Sequence, residues 1–192
     1  MRKSKKSSNK KPIVVFIYGA IAVGKLTIAK IVAKKLGYKL VHNHHLNDFV
    51  SEVFDRGSYY GQVVKDDLRY YLLESTVKAK LNIVTTHCYR DNFISRAGLS
   101  DPVYVKTLQK RLTKLGAKFY PVFLKADYEV LLQRLTKKDR KNFKKLTDKK
   151  IFKSLGYHWH IFPKIKNNLV IDNTHLSPQK VASMVIKHFK LK

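Results

Sequence analysis

The residues best suited to chemistry lie near the start of the chain, in Gly19-Ala20-Ile21-Ala22-Val23-Gly24-Lys25-Leu26-Thr27. Two glycines bracket four residues and a lysine follows the second, the spacing G-x-x-x-x-G-K. An apolar run precedes this turn and a helical pattern follows it. Such a turn aims successive backbone N–H groups at one anion, and the helix N-terminus adds its field. Lys25 can then reach the outer phosphates of a nucleotide. The commonest form of the motif places a hydroxyl directly after the lysine. Here Leu26 takes that place and is expected to pack beneath a sheet. The hydroxyl comes one residue later, at Thr27, the candidate contact for a phosphate or a magnesium ion.

Further candidates follow from where ligands bind in open α/β sheets, beyond the C-terminal ends of the strands. Three polar clusters directly follow short apolar runs. His42-Asn43-His44-His45-Leu46-Asn47-Asp48 follows a strand expected at 39–42. His87-Cys88-Tyr89-Arg90-Asp91 follows one at 82–86, and Asp172-Asn173-Thr174 follows one at 169–171. Some small-molecule kinases, whose phosphate loop this one resembles, place an acid at this strand edge; by that resemblance Asp48 would receive or orient the proton of an acceptor hydroxyl, with Asp91 as the second choice. His42, His44, His87, Arg90 and Asp91 are candidates to hold that acceptor. The histidines lack the helical spacing, with an acid, of hydrolytic zinc sites. They read as hydrogen-bonding or satisfied surface groups. The single cysteine, Cys88, allows no disulfide within the chain and reads as a buried structural thiol.

These groups need elements to position them. The alternation of apolar runs and helical patterns predicts one α/β domain over 12–192, after a basic tail over 1–11. The first strand opens at Pro12, where a missing N–H costs least. Helix one spans 25–36 and stops at Gly37. A long helix over 60–80 has Val63, Val64, Leu68, Tyr71, Leu72 and Val77 as its expected apolar face. Asp101-Pro102 reads as a cap followed by proline at the first helical position, and Ser177-Pro178 as another. The strand at 118–125 contains Pro121, which marks it as peripheral.

Composition narrows the class. At 192 residues and 44% hydrophobic, the chain can bury one core. Its net charge of +27 attracts polyanions. The lysines look dispersed along the chain, with no stripe of interleaved aromatics, so incidental nucleic-acid binding is the expectation. The N-terminus has no apolar signal region, and no apolar stretch is long enough to span a bilayer. A cytoplasmic protein is expected, with no membrane partner.

The Gly24-Lys25-Leu26-Thr27 spacing, close behind the first strand, resembles the small P-loop kinases. These are the adenylate-kinase, shikimate-kinase and chloramphenicol-phosphotransferase group, with AAA-type kinase-like proteins nearest. The resemblance implies a P-loop NTP hydrolase fold, an α/β five-stranded parallel sheet of order 2-3-1-4-5 with helices on both faces. It implies ATP as phosphoryl donor with Mg2+, and an acceptor bound between the second and third helices. It implies a basic lid at about 137–160, with Arg134, just ahead of it, and Arg140 as the phosphate clamps. The adenine would meet Asn173 or Thr174. The family's acid at the end of strand three is replaced here by Thr85-Thr86-His87. Magnesium would then be held mainly by ATP and water, with Thr27 or Asp48 assisting. The function expected is an ATP-dependent phosphotransferase acting on a small-molecule or nucleotide acceptor, as a monomer or homodimer. Two alternatives stay open: a nucleic-acid-associated kinase or NTPase, and a non-catalytic ATP-binding regulatory module. A GTPase switch is disfavoured by the lack of Asp-x-x-Gly and Asn-Lys-x-Asp segments.

Overall fold

The computed structural model describes residues 10–55, 57–136, 146–156 and 161–192. Residues 1–9, most of the expected tail, lie outside them. So do 137–145, with Arg140, and 157–160, two stretches of the expected lid.

The elements in chain order are β1 (Ile13–Gly19), α1 (Lys25–Leu36), β2 (Lys39–His42), α2 (Asn43–Val53), α3 (Tyr59–Lys78) and β3 (Ile83–Cys88). Then come α4 (Asp101–Lys114), β4 (Lys118–Lys125), α5 (Tyr128–Leu135), α6 (Lys149–Ser154), β5 (Leu169–Asp172) and α7 (Pro178–His188). The five strands form one sheet of order β2-β3-β1-β4-β5, and every pairing is parallel. This is the expected order.

β1 runs through the middle of the sheet, and its alternation sorts the two faces. Val15 and Ile17 pack with residues of α1, α5 and α7. Val14, Phe16 and Tyr18 pack with residues of α3 and α4. Each apolar layer is buried, so β1 reads as a continuous hydrophobic run. α1 ends as expected, with Gly37 in the left-handed region at φ 64.

Five expectations change. β4 is not peripheral: it lies between β1 and β5, and Pro121 is opposite Phe16. Pairing with β5 starts only at Val122, so the proline sits where one side of the strand has no ladder to feed. The helix after β2, whose apolar pattern begins only at Phe49, starts already at Asn43 directly from the strand and takes in most of the polar cluster. Of its apolar residues Val50 is buried, while Phe49 and Val53 are exposed. The inward face of α3 keeps Val77 of the expected set but is otherwise shifted. Gln62, Asp66, Arg69, Tyr70, Leu73 and Val77 are buried, whereas Tyr71 is exposed. Asp101 is not the cap of α4: the Ser100 hydroxyl accepts from the Val103 N–H. Leu26 is buried but belongs to neither apolar cluster, and it lines the cleft above α1.

Candidate functional site

The phosphate loop is built where β1 turns into α1. Gly19 has φ +144, and a Cβ there would come within 2.2 Å of the Leu124 carbonyl oxygen on β4. Only glycine lets the chain leave the sheet so close to its neighbour. Gly24 caps α1 at φ 91, in the left-handed region. Ala22 adopts φ 66, a conformation that costs a residue with a Cβ about 1–2 kcal/mol. The first intrahelical bond of α1 runs from Ile28 N–H to the Gly24 carbonyl. The N–H groups of the preceding turn have no acceptor within the helix, which is the condition for anion binding. Lys25 Nζ is folded back onto the loop, donating to the carbonyls of Gly19 at 3.0 Å and Ala20 at 2.6 Å. Thr27 is exposed on the first turn of α1 and lines the same cleft as Lys25.

That cleft has a volume of about 670 Å³, within the range of small-molecule sites. Residues 21–28 line one end of it, and the facing sides of α2 and α3 line the other. On α2 the lining residues include His44, Asn47, Asp48 and Ser51, spaced as one helical face. On α3 they include Gln62 and Lys65. Asp48 is thus mid-helix and faces the cleft. Gly61 lets α3 approach α2, since a Cβ there would lie 2.8 Å from Phe54 Cβ and Ser58 Oγ.

Behind this wall is a buried polar network that the sequence reading did not assemble. Arg69 donates to Asn47 Oδ1 at 2.8 Å and faces Asp66 at 3.6 Å. Gln62 Nε2 donates to Asp66 Oδ2 at 2.8 Å, and Gln62 Oε1 accepts from Lys65 Nζ. Burial, reinforced by the Arg69 charge, holds the Lys65 ammonium below the usual lysine range. The available signal was the i, i+4, i+7 spacing of Gln62, Asp66 and Arg69. An apolar-moment reading passes over it because those positions are polar.

The other wall joins the phosphate loop to the end of β5. Asn173 is buried; its Nδ2 donates to the Val23 carbonyl at 2.7 Å. Its Oδ1 accepts from Arg134 at 3.0 Å. Arg134 also donates to the carbonyls of Asn173 and Thr174, at 2.9 and 3.2 Å. Arg134, expected as a phosphate clamp, is therefore committed to the β5 loop, although it lines the cleft. The Thr174 hydroxyl donates to Asp172 and accepts from the Asp127 N–H. It is occupied by the loop instead of offered to a base.

The residues after β3 split between the two faces of the sheet. Thr86 and Cys88 line the cleft. Thr86 Oγ1 bonds Asn43, accepting from its N–H at 3.4 Å and donating to Oδ1 at 3.3 Å. His87 points the other way, into the layer beneath α4. Its ring stacks on Tyr104 at 4.5 Å, and Nε2 lies 3.1 Å from Asp101 Oδ1. Asp101 Oδ2 accepts the Arg90 N–H at 2.7 Å. Burial lowers the His87 pKa although Asp101 opposes that shift. Nδ1 is buried without a hydrogen-bond partner, so a second proton there would be an unsatisfied donor. With a proton on Nε2 the ring donates to Asp101; His87 lies outside the cleft lining and packs as a structural residue, not a substrate contact. Arg90 and Asp91 lie outside the cleft lining, with the Arg90 guanidinium 4.4 Å above the Phe93 ring. His42 is buried at the base of α2, its ring against that of His45. It too is outside the lining, whereas His44 is part of it.

The described stretch of the expected lid contains α6, capped by Asp148 and anchored by Phe152 in the α1-side core. Among the described residues, no group of three or more His, Cys, Asp or Glu is gathered to hold a metal ion. No described helix is long and apolar enough to cross a membrane.

No family model matches this sequence, and no curated protein matches it. Solved structures with the same architecture extend over nearly the whole chain. A sugar kinase from Janibacter sp. HTCC2649 has a TM-score of 0.65 at 14% identity, covering 95% of this chain and 96% of that one. The APS kinase of Mycobacterium tuberculosis, in complex with AMPPNP and APS, has a TM-score of 0.61 at 14% identity, covering 94% and 98%. A gluconokinase from Sinorhizobium meliloti 1021 has a TM-score of 0.59 at 12% identity, covering 94% and 92%. The fold is that of the P-loop kinases.

Proposed function

We propose that the protein is an ATP-dependent phosphotransferase that moves the terminal phosphoryl group to a hydroxyl or phosphate of a small molecule or nucleotide. The observation that carries this reading is the continuity of the cleft. It joins the phosphate loop to a polar wall of α2 and α3 without interruption. Phosphoryl transfer needs two substrates aligned end to end with charge stabilised between them. Lys25 is the cation for the transferring group, and the N–H groups of residues 21–27 cradle the phosphates. His44, Asn47, Gln62 and Lys65 offer hydrogen bonds to an acceptor, and Asp48 is the carboxylate on the α2 face able to take a hydroxyl proton. The donor set fits a magnesium ion carried in with the nucleotide: Thr27 and Asp48 would assist, while the end of β3 offers Thr86 and Cys88 instead of an acid. When bound, such an ion neutralises the phosphates. The kinase names of the structural neighbours support the same class.

The test is turnover of ATP against a panel of sugars, small alcohols and nucleoside monophosphates. Acceptor-dependent ADP release that disappears in Lys25→Ala is the expected result. Asp48→Asn should lower kcat by roughly 100-fold or more with little change in ATP affinity, the usual scale for a general base. Unchanged kcat in that variant removes Asp48 from the chemistry. Tight ATP binding with no turnover on any acceptor favours the regulatory module instead.

A further inference from the structure

Every acidic residue of the chain lies between Asp48 and Asp172; residues 1–47 and 173–192 contain none. The fold converts this into a surface. Because all strand pairings are parallel, the five strands begin at one end of the domain, opposite the cleft. The helices that lead into the next strand finish at that end as well.

Lysines concentrate there. Lys39 and Lys118 open β2 and β4, and Lys11 lies just before β1, all exposed. Lys35, Lys78, Lys114 and Lys187 stand in the last turns of α1, α3, α4 and α7, also exposed. The segments carrying them are tied together. Asn82 accepts from the Ile13 N–H through Oδ1 at 2.9 Å and from the Lys39 N–H through its carbonyl at 3.0 Å. The Lys118 N–H donates to the Pro12 carbonyl at 2.8 Å, and the Tyr38 hydroxyl donates to the Lys192 carbonyl at 3.3 Å.

The described acids lie elsewhere. Asp48 and Asp172 are at or beyond strand C-termini, and Asp101, Asp127 and Asp148 are at helix starts. Glu74, the acid furthest along α3, is already paired with Arg111. A lysine in the last turn of a helix complements the helix dipole and needs no further reason. That argument does not reach Lys11, Lys39 or Lys118, which open strands, nor does it explain the missing acids.

We propose that this end of the domain docks double-helical nucleic acid through its backbone phosphates. Lysines on a rigid sheet end match a regular array of phosphates, and release of counterions supplies the affinity without reading sequence. A duplex is favoured over a single strand because the aromatics at this end are engaged with one another: Tyr120 and Phe189 are half-buried with ring centroids 4.6 Å apart, and His188 meets Phe189 edge-on at 4.7 Å. Of the exposed large aromatics, Tyr59 and Tyr60 start α3 at the opposite end, and Tyr71 is midway along it. A membrane surface is disfavoured because lipid binding needs an apolar anchor beside the charge. Leu81 is the one exposed large apolar side chain found between the end of α3 and β3. The surface is independent of the nucleotide cleft, so this proposal survives or fails apart from the kinase reading.

The test uses the full chain and fluorescence anisotropy with a DNA duplex and an RNA duplex of the same sequence, titrated over a range of KCl. Lys39→Ser/Lys118→Ser/Lys187→Ser removes charges from the basic end. Lys106→Ser/Lys149→Ser/Lys180→Ser removes the same charge from exposed sites elsewhere. The first variant should lose about 10-fold or more in affinity, and its slope of log K against log salt should fall by roughly 0.9 for each phosphate no longer neutralised. The second should keep the parent slope. Single Lys39→Ser and Lys118→Ser variants, each expected to lower the slope by about 0.9, serve if the triple variant does not fold. Binding of either duplex with this pattern supports the proposal, and a preference names the natural source. Equal losses in both triple variants overturn it, because net charge alone then explains the binding. So does tighter binding to single strands or to anionic phospholipid vesicles than to a duplex.

Discussion

Replacing Asn173 by alanine should unfasten the nucleotide end of the cleft. The side chain is 3% exposed and joins two elements at once. Its donor satisfies the Val23 carbonyl of the phosphate loop, and its acceptor holds Arg134 at the end of α5. Leaving a buried carbonyl without its donor costs about 1–3 kcal/mol. Losing a hydrogen bond to a charged group costs about 1.5–3 kcal/mol, and the low end applies because Arg134 is partly exposed. The sum is roughly 2.5–4.5 kcal/mol, which in a domain of this size lowers Tm by roughly 5–18 °C. Asn173→Asp keeps an acceptor for Arg134 but sets a carboxylate oxygen against the Val23 carbonyl, so it too should destabilise. Urea unfolding of both variants, with and without ATP, measures the cost. A double-mutant cycle with Arg134→Ala should show coupling above about 1 kcal/mol. Asn173→Ala unfolding within about 1 kcal/mol of the parent would refute the reasoning, as would an aspartate variant as stable as the parent.

Three other perturbations test separate parts of the structure. His87 has a folded pKa below its unfolded value of about 6.5. The unfolded chain thus binds the extra proton first, and stability present above about pH 6.5 should fall as pH drops through that window. Urea midpoints at several pH values should show this slope in the parent and a flatter one in His87→Gln. Gly19→Ala should destabilise by roughly 2 kcal/mol or more, because the new Cβ meets backbone and the left-hand φ is retained; a thermal melt checks it. Gly61→Ala should push α3 off α2 and cost about 1–3 kcal/mol. Because that corner borders the acceptor wall, acceptor KM should rise more than ATP affinity falls.

The legible parts of the site were those set by local backbone chemistry. Gly19, Gly24 and Lys25 could be found by spacing because a phosphate loop is made within one short segment. The sheet order was implied by a resemblance in that same segment. The partners of the loop could not be found this way. Asn173 reaches Val23 across 150 positions of sequence, and Asp101 was mistaken for a helix cap because its true partners, His87 and the Arg90 N–H, come from another element. The strand at 83–88 runs through His87 and Cys88, and its alternation sends His87 away from the cleft. One further strand residue was enough to reverse that expectation, since side chains change face at every step.

The sequence by itself determined a nucleotide-phosphate turn, an alternating α/β chain and a large excess of positive charge. All three are properties of short segments or of composition. Tertiary structure decided which polar groups share the cleft, setting Gln62 and Lys65 in its wall and burying Asp66 and Arg69 behind them on a helix whose apolar periodicity pointed elsewhere. It also decided where the charge lies. Lysines that look scattered along the chain come together because parallel strands all start at one end and the helices between them return to it. That gathering follows from the direction of the chain in space, which no single segment contains.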